Sequence, residues 1–194
     1  MARRIIAALV FGALATVAYA QVREQAYPNT KRLGRATVEY RNKQGLQVVL
    51  GYEYSQRHHD SAWLLIDFGA RAEQRLVLDR EHFKLVSQAG AWFPVASQRH
   101  FVEDGRVITS LRQNASIWRR DLGTYLGSLD RRERLKFFAL PGEGVIVTGA
   151  MLDKDRITLG EIYFEMPAGS WEPGRYSLLI EHPHAMAALP IVLE

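Results

Sequence analysis

The fold of this chain is decided by an alternation of side chains, first seen in Leu46-Gln47-Val48-Val49-Leu50-Gly51-Tyr52-Glu53-Tyr54. From Leu46 onwards, every second residue is large and apolar or aromatic. A period of two places these residues on one face of a β-strand. The segment Thr37–Arg41 is a second, shorter strand candidate. Between them lies Asn42-Lys43-Gln44-Gly45, which has the composition of a tight turn, with Gly45 free to adopt a positive φ. The two segments therefore predict an antiparallel hairpin.

Further strand patterns follow along the chain, separated by turn residues. The run Trp63-Leu64-Leu65-Ile66-Asp67-Phe68 is apolar on both faces, as in a central strand of a sandwich. In Ile157–Glu165, residues Ile162 and Phe164 share one face, and the other face, with Tyr163 at its centre, is expected to be exposed to water. The remaining strand candidates are 75–79, 83–87, 134–140, a strand from Val145, a strand around 176–180, and 185–193, where Pro190 indicates an edge strand or a bulge.

One stretch has the spacing of a helix instead. Asp104 stands where an N-cap residue is expected, and a single helix is predicted over about residues 105–118, inside an insertion from about residue 98 to 128. The apolar residues at helical spacing are Val107, Ile108, Leu111, Ala115 and Trp118.

Short strands with little helix predict an all-β protein, with an immunoglobulin-like β-sandwich as the architecture and a small β-barrel as the alternative. The 194-residue chain contains no cysteine, so disulfides and thiolate metal sites are excluded and core packing alone must hold the fold together. We expect a single sandwich domain over residues 21–194, interrupted by the one helical insertion.

The first twenty residues have the pattern of a secretory signal peptide. Arg3 and Arg4 are followed by an uncharged, mostly apolar run that ends in Ala18-Tyr19-Ala20, a small-x-small cleavage pattern. The run is short for a membrane span, which needs about twenty apolar residues. We therefore expect a periplasmic or secreted protein that is soluble and carries no transmembrane anchor once residues 1–20 are removed.

The segment Trp171-Glu172-Pro173-Gly174-Arg175-Tyr176 resembles the corner before the next-to-last strand of many bacterial exported immunoglobulin-like sandwich domains. In those domains a W-x-P-G-x-Y motif turns the chain into the strand, because proline fixes φ and glycine permits the bend. The resemblance implies that the hydroxyl of Tyr176 bonds back to the corner, as in a tyrosine corner. It names no specific family and implies no catalytic residues.

The function predicted from the sequence is that of an exported binding or adaptor protein of the bacterial cell envelope. No nucleophile elbow, S-x-x-K, H-E-x-x-H, phosphate loop or EF-hand loop occurs, so no catalytic residue is assigned and an enzyme is the less favoured interpretation. The formal net charge is +4, but charges of both signs are interspersed, which argues against nucleic-acid binding. The expected partner is another envelope protein or a glycan, and no cofactor or metal is expected.

The binding residues proposed from the sequence are at the end of the helical insertion. Aromatic residues beside arginines are enriched in binding surfaces. We expect Leu111 and Trp118 to pack the helix onto the sandwich and the two arginines to be exposed beside them. The residues of this proposed binding surface are Trp118, Arg119, Arg120 and Tyr125.

Two alternatives remain open at this point. The first is a hydrolase of an envelope polymer that uses Glu, Asp and His residues brought together by the fold; a cleft holding two carboxylates would favour it. Glu161 and Glu165 alone stand too far apart on a strand, at roughly 13 Å. The second is a metal-binding envelope protein that uses His182 and His184, with His82 or His100. The indoles of Trp63 and Trp92 are expected in the core.

Overall fold

The computed structural model describes residues 27–127, 131–167 and 169–194, so the predicted signal peptide lies outside it. The described residues form strands β1 (Thr30–Arg32), β2 (Thr37–Arg41), β3 (Leu46–Gly51), β4 (Trp63–Ala72), β5 (Leu76–Asp79), β6 (Phe83–Ser87), β7 (Trp92–Pro94), β8 (Arg132–Leu135), β9 (Gly149–Leu152), β10 (Ile157–Glu165), β11 (Gly174–His182) and β12 (Ala185–Leu193). The helices are α1 (Gln98–Glu103), α2 (Gly105–Ser116) and α3 (Gly123–Leu126), and a 3₁₀ turn spans Arg80–His82.

The hairpin predicted from the opening stretch is confirmed. Strands β2 and β3 pair antiparallel, and Gly45 in the turn has a φ of 86°. The side-chain oxygen of Asn42 accepts the backbone N–H groups of Gln44 at 3.1 Å and Leu46 at 2.9 Å, which fixes the turn. The strand ends at Gly51 rather than at Tyr54.

The strands form an all-β sandwich, as predicted. One sheet has the order β1-β2-β3-β4-β10-β8, the second has β12-β11-β6-β7, and β5 pairs with β9. The rings of Phe68 on β4 and Phe83 on β6 meet edge to face at 5.4 Å and join the two larger sheets. Neither of these sheets closes on itself within the described residues, so the sandwich is correct and the small β-barrel is not.

The helical insertion covers the outer face of the six-stranded sheet. Helix α2 lies where the spacing predicted a helix, and α1 and α3 add two short helices on either side of it. Asp104 occupies the N-cap position, but its carboxylate accepts the indole N–H of Trp63 at 2.7 Å and makes no capping bond. Phe101 of α1 is fully buried, with its ring 4.9 Å from that of Tyr163. The helical layer therefore covers part of the outer face of the six-stranded sheet, opposite the face that packs on the second sheet.

This covering layer corrects the expectation of a water-exposed face on β10. Tyr163 is 0% exposed, and its ring contacts those of Phe101 and Phe138 at 4.9 and 5.2 Å. The alternation in Ile157–Glu165 is real, but the polar residues face charged partners on the helices instead of solvent. Charged side chains on a strand can mark a polar interface within the protein as well as a wet surface.

Two strand predictions near the middle of the chain are wrong. The candidate 134–140 gives a strand only at Arg132–Leu135, because the ladder with β10 stops where Leu135 packs onto Gly160. Beyond that point Phe138 turns toward Phe101 of the helical layer, with ring centroids 4.8 Å apart. No strand begins at Val145, which is 83% exposed, and β9 starts at Gly149.

The tryptophan expectations have different outcomes. Trp63 is buried in the core, but Trp92 is 60% exposed, because β7 is a three-residue strand at the edge of its sheet. Pro190 lies on β12, at the opposite edge of that sheet, as its missing N–H predicts. None of the helices in the described residues is long and apolar enough to cross a membrane.

Candidate functional site

A half-open groove with a volume of about 590 Å³ lies between the helical insertion and the six-stranded sheet. Its floor is formed by β4 and β10, one wall by the segment from the end of α2 to the start of α3, and the other wall by β8 and the residues that follow it. Pockets of this size are typical of ligand sites. The charged residues that line it are Asp67, Arg112, Arg119, Arg120, Asp121, Arg132, Glu133, Arg134, Lys136 and Glu161.

Two carboxylates stand side by side on the floor of the groove. Asp67 of β4 and Glu161 of β10 are direct partners in the antiparallel register, so their side chains leave the sheet on the same face. Their side chains are 16% and 14% exposed. Two carboxylates this close and this buried require cationic partners, because their mutual repulsion is poorly screened by water.

Arg119 bridges the two carboxylates. Its Nε lies 2.9 Å from Oδ1 of Asp67, and its Nη2 lies 2.7 Å from Oε1 of Glu161. The planar guanidinium suits this arrangement because it offers several N–H donors in a fixed fork. The Arg119 side chain is still 36% exposed, so it also faces the groove.

A second arginine holds Glu161 from the other side. The Nε of Arg112 on α2 lies 3.2 Å from Oε2 of Glu161 and 2.8 Å from the hydroxyl of Tyr163. The Tyr163 hydroxyl donates a hydrogen bond to Glu161. The Nη1 of Arg112 lies 2.8 and 2.9 Å from the two carboxylate oxygens of Glu143. Glu161 thus has three donor groups, from Arg119, Arg112 and Tyr163.

Burial and these contacts shift the pKa values of Asp67 and Tyr163 on the groove floor. Burial raises the pKa of Asp67 to about 7, against the lowering effect of Arg119 and with further raising by Glu161 and Glu53. Burial also raises the pKa of Tyr163, so the phenol stays protonated and acts as a donor. A carboxyl group that titrates near neutrality in a pocket is a recognised mark of a functional site.

The outer parts of the groove are predominantly basic. Arg120 reaches Glu53 at 3.5 Å, and Arg132 reaches Asp121 at 3.1 Å. Arg134 is exposed and forms no ion pair with any residue that the structure describes. Among the described lining residues, six side chains are basic and four are acidic, so the groove carries an excess of positive charge.

The structure separates the four binding residues proposed from the sequence. Arg119 and Arg120 line the groove, but Arg119 is engaged with the floor instead of being a free surface arginine. Trp118 is 43% exposed and lies 6.3 Å from the ring of His58, beside a smaller adjoining pocket. Tyr125 packs against a small apolar cluster with Leu122 and does not line the groove.

The sequence analysis missed the two residues at the centre of the network, Asp67 and Arg112. Asp67 carried a usable signal, because it is a charged residue within the apolar strand Trp63-Leu64-Leu65-Ile66-Asp67-Phe68. A carboxylate in a central strand needs a partner from elsewhere in the fold. Nothing local to the sequence indicated that this partner would be Arg119, in the segment just after α2.

The histidines considered as metal ligands are partly brought together. The ring centroids of His82 and His182 are 4.9 Å apart, and those of His182 and His184 are 5.6 Å apart. However, the Nδ1 atoms of His82 and His182 accept the backbone N–H groups of Asp79 and His184. Each neutral ring then carries its proton on Nε2 and has no free lone pair for a metal.

His100 lies elsewhere, with its Nδ1 2.8 Å from Glu165. Within residues 27–127, 131–167 and 169–194, no group of three or more His, Cys, Asp or Glu side chains is arranged to hold a metal ion. The geometry therefore gives no support to the metal-binding alternative.

The fold and the groove define an all-β sandwich with a covering helical layer and a charged pocket between the two. Comparison of this chain with protein-family models, with curated proteins and with solved structures finds no match. The functional argument therefore rests on the groove itself.

Proposed function

We propose that this protein is an exported binding or adaptor protein of the bacterial cell envelope and that the groove is its ligand site. The observation that carries the proposal is the excess of basic side chains around a half-open cavity of about 590 Å³. Such a cavity favours an anionic ligand. Export is supported by the signal-peptide pattern of residues 1–20, with a periplasmic or secreted location.

The ligand that best fits the groove is an acidic segment of another envelope protein. Arginine pairs with carboxylates through two parallel hydrogen bonds, and Arg132 and Arg134 present two guanidinium groups on the same face of β8. A glycan is less well suited, because the aromatic residues that line the groove all have buried rings, which offer no open face to a sugar. These rings belong to Phe68, Phe137, Phe138 and Tyr163.

The test is a binding titration with a capped hexaglutamate peptide at low ionic strength. We expect Arg134→Glu to weaken binding at least tenfold, because it reverses an exposed charge in the groove at a cost of about 1.4 kcal/mol or more. The matched control is Arg175→Glu, which makes the same charge change at an exposed position on β11 of the other sheet. Equal weakening by both variants would show general charge attraction and contradict the proposal. Tighter binding of an oligogalacturonate than of the peptide would assign the groove to an anionic glycan instead.

A hydrolase of an envelope polymer is the second candidate function. It is favoured by the two adjacent carboxylates of Asp67 and Glu161, with the pKa of Asp67 raised to about 7, a value suited to a general acid. The test is incubation of the protein with purified cell-wall polysaccharide and measurement of the reducing ends released. Activity that is lost in Asp67→Asn would support this function, and an inactive wild-type protein would remove it.

The immunoglobulin-like form of the sandwich is also a proposal, supported by the corner before β11. The Tyr176 ring is 6% exposed, and its hydroxyl donates to the carbonyl oxygen of Glu172 at 3.0 Å. The buried Trp171 packs against this ring with centroids 5.7 Å apart. The buried Tyr176 ring and its hydroxyl bond are what the resemblance implied for a tyrosine corner.

A further inference from the structure

On the floor of the groove, Asp67 depends on Arg119 for its charge balance more than Glu161 does. If Arg119 moved away from the floor, Glu161 would keep the Arg112 guanidinium and the Tyr163 hydroxyl as donors. Asp67 has no such reserve, because Arg119 is its one cationic partner among the residues described. Departure of Arg119 would therefore favour the neutral form of Asp67.

Arg119 is also the arginine at the junction between the floor and the opening of the groove. Its side chain is 36% exposed, whereas those of Asp67 and Glu161 beneath it are 16% and 14% exposed. An entering carboxylate meets the guanidinium before it meets either floor residue. It then competes with Asp67 for the same N–H donors.

We propose that Arg119 anchors a carboxylate of the bound acidic segment and that Asp67 takes up a proton as it gives up this guanidinium. The inference rests on the proposed binding function and adds to it a proton that enters with the ligand. Loss of the nearest cation and the arrival of an anion both favour the neutral form of a buried carboxyl group.

Arg119 lowers the pKa of Asp67 and so opposes this uptake while it stays on the floor, but the acidic groups that face Asp67 favour it. Glu161 approaches from β10 and Glu53 from the segment after β3, and both raise the pKa of Asp67. Arg120 is paired with Glu53 at 3.5 Å and does not replace Arg119. In the free protein the pKa of Asp67 is about 7, so part of the population already carries the proton at neutral pH.

The direction of the pH dependence follows from proton linkage. Because the bound state holds more protons than the free state, affinity rises as the pH falls from about 9 toward 7 and levels off below the pKa of free Asp67. The total change is tenfold for each unit by which binding raises that pKa. Side-chain carboxylates of hexaglutamate titrate near pH 4.3 and stay ionised over this range.

The experiment is a calorimetric titration of capped hexaglutamate into the wild-type protein and Asp67→Asn between pH 6 and 9. We expect wild-type affinity to fall at least fivefold from pH 6.5 to 8.5, whereas Asp67→Asn, whose amide imitates the protonated acid, binds with constant affinity. Asp155→Asn, which makes the same charge change in an exposed turn, is the control and keeps the wild-type profile.

A second measurement needs no variant. Repeating the wild-type titration at pH 7.5 in buffers with different heats of protonation gives the number of protons taken up, and a positive fraction is expected. Binding without proton uptake, or an unchanged pH profile in Asp67→Asn, would overturn the inference and leave the binding function intact. Absence of peptide binding by the wild-type protein at every pH would overturn the proposed function itself.

Discussion

At the scale of single residues, the most consequential side chain is Asp67, because its environment opposes its charge. The pKa is raised from 3.8 to about 7 by burial, with Glu161 and Glu53 adding to the effect. The folded state therefore binds a proton more tightly than the unfolded state does. For such a group, the contribution to stability is full below the unfolded pKa and is lost as the pH rises through 7.

Asp67→Asn should accordingly stabilise the protein at pH 8 by about 2 to 4 kcal/mol, with a much smaller gain at pH 4. Asparagine retains an oxygen that can accept from Arg119 but carries no charge to bury. The measurement is urea unfolding of both proteins at the two pH values, with Asp155→Asn in the exposed turn as the control. A gain of the same size at pH 4 and pH 8 would contradict the raised pKa.

Tyr176 tests the corner before β11. Tyr176→Phe removes the hydroxyl that donates to Glu172 O and should lower the free energy of unfolding by about 1 kcal/mol, since the ring itself keeps its packing. Thermal or urea denaturation measures the effect. Tyr54→Phe, a change of the same type that removes a hydroxyl forming no hydrogen bond with the described part of the chain, serves as the comparison. A Tyr176→Phe protein with unchanged stability would show that the corner bond contributes nothing.

At the scale of secondary-structure elements, α2 is held to the sheet by apolar contacts and by one multiply bonded arginine. Ile108, Leu111 and Ala115 are buried on the inner side of the helix. Arg112 beside them contacts Glu161, Tyr163 and Glu143, and its guanidinium lies 5.1 Å from the centre of the Phe101 ring. The helix is therefore positioned by the hydrogen bonds and ion pairs of Arg112 as well as by hydrophobic burial.

Replacing this arginine should be costly. Arg112→Met keeps much of the aliphatic stem but leaves Glu161 with fewer donors, and we expect a loss of about 2 to 4 kcal/mol in urea unfolding. Arg112→Lys should recover part of it, because lysine restores the charge without the planar fork. Arg99→Met, which breaks the exposed i,i+4 pair with Glu103, should have no measurable effect. Equal losses at the two positions would mean that burial of the network does not matter.

The elements themselves were predictable to different degrees. The ends of β6, β10 and β12 follow from alternation and turn residues, and α2 follows from apolar spacing, because these are local patterns. The short edge strands β1 and β7 left no such pattern. The groove could not be predicted, since it needs Asp67, Arg119 and Glu161 from three segments far apart in the chain.

At the scale of the whole molecule, the protein has three layers rather than the two of a simple sandwich. The six-stranded sheet packs against the second sheet on one face and against the helical layer on the other. Phe101 links the helical layer to the six-stranded sheet, with ring contacts to Trp63, Phe138 and Tyr163 at 6.0, 4.8 and 4.9 Å. The face of β10 that carries Tyr163 is thus buried in a second core, between the six-stranded sheet and the helical layer.

Because the second core is shared, the helical layer and the sandwich should unfold in one transition. We expect helix circular dichroism and tryptophan fluorescence to give the same urea midpoint. Phe101→Ala should lower the free energy of unfolding by about 3 to 4 kcal/mol and shift both midpoints together to lower urea, whereas Val102→Ala at the neighbouring, 38% exposed position should change little. Separate midpoints for the two probes would show that the insertion is an independent unit.

The pairing of β4 with β10 also determines when the groove forms during folding. These neighbouring strands are separated along the chain by β5 to β9 and by the entire helical insertion. The ladder between them therefore closes a long loop and forms slowly. Glu161 and Tyr163, which contact Arg112, are absent until β10 has joined the sheet, and until then Arg119 has only Asp67 as a partner on the floor. The groove is therefore assembled late, and a nascent chain that has not yet added β10 exposes arginines but no finished site for a ligand.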